Sequence, residues 1–176
     1  MTVPQKPKSL QMSQDMRGAF SYRQDSTVPD FPDARPIIIF DGHCVLCSGW
    51  ANFVLRHDHL GKYRLLAAQS RLGRALYLHW GLDPVNYQTN VLLADGIAWL
   101  KSEGSIRMLA GLGFPWCVAA GCRVLPLKIR DRLYELVARN RFRLFGRRKT
   151  CYVPTSEFRD RFLDESAVVP PNCAMT

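Results

Sequence analysis

The sequence predicts an α/β domain, a mixed sheet with flanking helices and a C-terminal helical extension. Three observations carry that reading. A continuous apolar run, Ile37-Ile38-Ile39-Phe40, ends at a turn that opens a segment of helical periodicity. Strand-like and helix-like stretches then alternate as far as residue 112. Beyond that point the pattern is helical alone.

Taken in order, residues 1–35 are rich in Pro, Gln, Ser and Asp without sustained periodicity, and are expected to form a disordered arm. Ile37 to Phe40 is the first strand, a buried β-branched run. Val45, Leu46, Trp50, Phe53, Val54 and His57 recur at helical spacing, predicting a helix over about 44–58. Gly61 breaks it, and Tyr63 to Ala68 reads as a second strand parallel to the first. Arg71 to Trp80 is a second helix, stopped by Gly81 and Pro84. Asp95-Gly96 suits a tight primed turn, so Val91–Ala94 and Ile97–Leu100 form a hairpin. A helix follows over 102–112 with Ser102 as its N-cap. Two more helices are expected over about 115–124 and 127–144. Cys117 and Cys122 look like core residues of the former, and Ile129, Leu133, Leu136, Val137 and Leu144 mark an apolar stripe on the latter. The order of strand, helix, strand, helix, hairpin and helix is thioredoxin-like. It divides the chain into an arm (1–35), a domain (36–154) and a tail (155–176).

Composition bounds the class. Hydrophobic content of 47% and charged content of 22% over 176 residues suit a globular domain. Six cysteines are too few for a disulfide-stapled secreted scaffold, and residues 1–35 hold no apolar signal-peptide core. No transmembrane segment and a cytoplasmic location are therefore expected. Net charge is +9, and residues 123–149 alone carry +8 of it. Such a segment is either a solvated helix face or a surface for an acidic partner. Arg139, Arg141 and Arg143 alternate with Phe142 and Phe145 in a mixture that can bind nucleic acid. A helix docking its aromatics on the sheet and pairing an arginine with Asp41 or Glu135 explains it more simply. No nucleic-acid partner is expected.

The chemistry concentrates in Asp41-Gly42-His43-Cys44-Val45-Leu46-Cys47. A strand that feeds C-x-x-C into a helix N-terminus sets the first cysteine among unpaired N–H groups at the positive end of the helix dipole. Both favour thiolate, the species that attacks a disulfide. Cys44 is thus the candidate nucleophile and Cys47, one turn deeper on the same face, the resolving thiol. Asp41 is either a proton acceptor for Cys47 or an Asx cap of the turn. His43 flanks the nucleophile and, protonated, would stabilise its thiolate. Cys151, beside Arg147, Arg148 and Lys149, is either a third redox partner or a tail thiol without a role. No cofactor is required, because two cysteines carry both electrons.

A second cluster joins this one: Asp131-Arg132-Leu133-Tyr134-Glu135, residues 138–143, then Phe145-Gly146-Arg147-Arg148 and Cys151. With Asp41, Gly42, Cys44 and Cys47, and with Gln69-Ser70, Asp95-Gly96 and Ser102, the chain resembles the DCC family of thiol-disulfide oxidoreductases over about residues 36–154. The resemblance implies a thioredoxin-like fold and activity of the protein-disulfide reductase type, on a disulfide-containing protein or a small thiol. One departure stands out. Thioredoxins carry a cis-proline before the third strand, where this chain has Thr89-Asn90. A non-proline cis bond costs about 2.5–4 kcal/mol, so a trans peptide is expected there. Two rival classes remain: a structural zinc module held by Cys44, Cys47, Cys151 and His43, and a non-catalytic domain that presents its basic helix to a partner.

Overall fold

The computed structural model describes residues 18–147, 152 and 156–163. Four strands form one mixed sheet in the order β2-β1-β3-β4. β1 (Ile37–Phe40) runs parallel to β2 (Arg64–Ala67) and antiparallel to β3 (Val91–Ala94), which pairs with β4 (Ile97–Leu100). Every side chain of β1 is fully buried, which explains why its sequence is a continuous apolar run. Asp95 and Gly96 take φ of 52° and 75°, the left-handed pair that a two-residue primed hairpin demands. The architecture is the expected thioredoxin-like one.

Alternation along the strands splits the core into two layers. Ile37, Ile39, Leu66, Val91 and Leu93 face α2 (Arg71–His79), whose Leu72, Leu76 and Tyr77 pack on them. Ile38 and Leu92 face the other way, onto Val54 of α1 (Val45–His57) and Met108 of α3 (Lys101–Ala110). Phe40 and Leu65 share that second side with Cys44, Cys47 and Ala51. Ser70 caps α2 by accepting the Gly73 N–H at 2.8 Å.

The structure departs from expectation in four places. Residues 18–35, expected to be a disordered arm, carry a 3-10 turn at Ser21–Gln24, and Tyr22 is buried in the α2-side core with Val28. Buried aromatics spaced too irregularly for any period conceal such a segment. Ser102 does not cap α3; Leu100 occupies the cap position, and the Ser102 hydroxyl instead hydrogen-bonds Asp131. Cys117 and Cys122 are exposed, because Trp116–Val124 forms a 3-10 segment that buries none of its residues.

The fourth departure is the largest. α4 (Leu127–Phe145) docks through polar side chains and leaves its apolar stripe outward. Tyr134 Oη accepts the Asn90 N–H at 3.0 Å, Lys101 pairs with Glu135 at 2.6 Å, and Arg130 pairs with Glu103 at 3.2 Å. Periodicity shows that a helix has two faces; it does not show which one meets the protein.

Candidate functional site

β1 ends at Phe40, and the chain turns through Asp41-Gly42-His43 into α1. The turn is built by side chains. Asp41 Oδ1 accepts the His43 N–H at 3.0 Å, the Asx bond expected of this residue, and also a bond from Gln69 Nε2 at 2.6 Å. Gln69 Oε1 accepts the Gly42 N–H at 3.0 Å, so one amide braces both sides of the turn. Cys44 then occupies the N-cap of α1, its Sγ accepting the Cys47 N–H at 3.3 Å. That bond is the usual serine or aspartate N-cap bond made by sulfur. Ser48, also buried, donates its hydroxyl to the Cys44 carbonyl at 2.8 Å and locks the first turn.

α4 supplies what the turn lacks. Arg141, only 3% exposed, places Nη2 at 2.9 Å from Asp41 Oδ2 and Nη1 at 3.8 Å from Cys47 Sγ. Nη1 and Nη2 also donate to the carbonyls of Tyr87 and Asn86, both at 2.8 Å, while the buried Nε makes no hydrogen bond among the described residues. A buried charge paired with a carboxylate and held by two carbonyls is a fixed element of the site. The pairing of an α4 arginine with Asp41 was among the sequence expectations; the reach of the same guanidinium to the dithiol was not.

These contacts set the thiol electrostatics. The Cys44 thiol is lowered to about 6, chiefly by the hydrogen bond from the Cys47 thiol, then by the Cys47 N–H and the Arg141 charge. Burial and the Asp41 carboxylate oppose the shift. Cys47 moves strongly the other way, raised by the same sulfur–sulfur bond and by burial. The pair therefore shares one thiolate, seated on Cys44.

Both sulfurs are buried, Cys44 completely and Cys47 to 5% exposure. Beyond α4, Arg147 makes a β-bridge with Cys44, and the Tyr152 N–H donates to the Gly42 carbonyl at 3.1 Å. Tyr152 and Phe162 pack edge-on against Phe40, which closes that side. On the other side a cavity of about 160 Å³ reaches Cys47 between Leu46, Trp50, Asn90, Tyr134 and Val137. His43 lies in a separate polar cleft with Arg74, Asn86 and Arg147. The peptide before Asn90 is trans, as expected, Phe114–Pro115 being the cis bond among the described residues. Cys151 lies outside the described residues. Among those residues no group of three or more His, Cys, Asp or Glu side chains gathers as a metal site.

A dithiol at a helix N-terminus, shared between strand and helix of a thioredoxin-like domain, defines a class of redox-type folds. A family model for DCC1-like thiol-disulfide oxidoreductases matches residues 38–147. The chain is 38% identical over 120 residues to a chloroplastic DCC family protein of Arabidopsis thaliana, covering 68% of this chain and 70% of that one. It is 31% identical over 127 residues to the uncharacterized protein YuxK of Bacillus subtilis, covering 72% and 93%. No solved structure matches the chain. The protein belongs to the DCC1-like thiol-disulfide oxidoreductase family, which supports a redox role in general terms.

Proposed function

We propose that the protein is a dithiol–disulfide oxidoreductase of the protein-disulfide reductase type, with Cys44 as nucleophile and Cys47 as resolving thiol. The observation that carries the proposal is the Cys44 sulfur at the α1 N-cap, accepting the Cys47 N–H, with the buried Arg141 guanidinium at 3.8 Å from its partner sulfur. The Cys44 thiolate attacks one sulfur of a substrate disulfide; that bond breaks, and the departing sulfur leaves as a thiolate that takes a solvent proton. Cys47 then loses its proton and attacks Cys44 Sγ. The mixed disulfide breaks, the second substrate sulfur leaves as a thiol, and a Cys44–Cys47 disulfide remains. Two electrons pass to the substrate.

Formation of the mixed disulfide takes the negative charge off Cys44, which removes the main opposition to ionising Cys47. Arg141, near both sulfurs, serves each step. Because Cys44 is fully buried, with Arg147 bridged to it, a protein disulfide reaches its sulfur only after local rearrangement. Alkylation mass spectrometry across glutathione buffers tests the reading: Cys44 and Cys47 should oxidise together in one two-electron step. Reduction of a small disulfide should vanish in Cys44→Ser. Full turnover in that variant overturns the assignment.

A further inference from the structure

We propose that the outward face of α4, together with the 3-10 segment Trp116–Val124 that precedes it, docks on an anionic phospholipid surface. The reasoning starts from the inverted seating of α4. Its polar side is consumed by the domain, through Arg130–Glu103, Ser102–Asp131, Tyr134–Asn90 and Arg141–Asp41. With about 3.6 residues per turn, Ile129, Leu133, Leu136, Val137 and Leu144 share the opposite face. They are 44–66% exposed. A helix held by buried ion pairs has no need of such a stripe for folding, so the stripe is available for another contact.

Charge complementarity selects the occupant. Arg132 and Arg143 border the stripe, with Lys128 and Arg139 just beyond, and all four are exposed. Arg123, Arg130 and Arg141 are held by Glu103 and Asp41, which leaves these four as the outward cations of the helix. Apolar side chains edged by cations are the pattern of a helix lying in the headgroup region of anionic lipid. Shape points the same way. Phe114 and Val124 are 87% and 89% exposed, so each stands clear of its neighbours. Side chains that protrude singly fit a fluid layer, which closes around them, better than a rigid partner that must supply a matching pocket for each. Among the described residues no helix is long and apolar enough to cross a membrane, so the contact is interfacial. Val137 also lines the cavity that reaches Cys47, which puts that cavity's mouth at the edge of the docking face.

The test is co-sedimentation of the full chain with vesicles of phosphatidylcholine, alone or mixed with phosphatidylglycerol. The protein should partition onto the mixed vesicles, little onto the neutral ones, and detach as salt rises. Leu133→Glu with Leu136→Glu should weaken partition about tenfold or more, and so should Arg132→Glu with Arg143→Glu. All four positions are exposed, and circular dichroism should show both variants folded. Cys44→Ser should bind as well as the natural chain, because docking does not use the dithiol. Absence from the mixed vesicles, equal partition onto neutral ones, or undiminished binding by either variant overturns the proposal. So does a dimer in light scattering that the leucine variant dissociates, since the face would then be a contact between two copies.

Discussion

Asp41 and Arg141, paired at 2.9 Å, act on the Cys44 proton in opposite senses. The carboxylate disfavours the Cys44 thiolate and the guanidinium favours it. Cys44 alkylation should therefore rise with pH and level off above about 6, where an ordinary thiol inflects near about 8.5. The inflection is the readout, because burial slows alkylation at every pH alike. Arg141→Gln should move the inflection up and Asp41→Asn should move it down. Identical shifts in the two variants would contradict the electrostatic account. Stability follows the same proton. A thiol lowered on folding adds stability above its unfolded value near about 8.5, and that contribution fades as pH falls through about 6. The dithiol and the Asx turn were legible because each uses neighbours in sequence. Arg141 was one cation among ten between residues 123 and 149. What distinguishes it is burial against a turn 100 residues away, and no local pattern encodes that.

At the scale of elements, α4 inverts the usual expectation for an amphipathic helix. Leu133→Ser should change stability by no more than about 0.5 kcal/mol, as at an ordinary surface site; a core leucine would cost about 2–5 kcal/mol on truncation. Tyr134→Phe, by contrast, removes the acceptor of the Asn90 N–H and should cost about 1–3 kcal/mol. Denaturant midpoints of the two variants decide between polar and apolar docking. α2 offers a sharper case. A Cβ on Gly73 would lie 2.9 Å from the Ala68 Cα, backbone that cannot step aside, so Gly73→Ala should destabilise by about 1–3 kcal/mol. Strands and hairpin were readable from run length and from Asp-Gly. The seating of α4 was not, because the ion pairs and hydrogen bonds that decide it come from α3, Asn90 and the Asp41 turn.

Across the whole molecule, the first described residues belong to the domain rather than to an arm. Tyr22 donates its hydroxyl to Asp33 at 2.6 Å while its ring packs beside Trp80, and His79 pairs with Asp25 at 2.7 Å. Phe20 donates its N–H to the Gly96 carbonyl at 2.9 Å, tying the segment to the hairpin. Beginning the chain at Pro36 should therefore cost at least about 3 kcal/mol, the cost of removing one large buried aromatic. An unchanged thermal midpoint would return residues 18–35 to the status of an arm.

The order in which the site is put together has a consequence for a chain leaving the ribosome. Cys44 and Cys47 emerge nearly a hundred residues before Arg141, and further still before Tyr152. Until α4 docks, the two cysteines lack the guanidinium, and behave as thiols closer to the ordinary kind. Domains generally fold as units during synthesis. The share of Cys44 acidity that comes from Cys47 is local, whereas the share from Arg141 is added late, by the carboxyl-terminal third of the polypeptide, so an unfinished chain carries the cysteines without it.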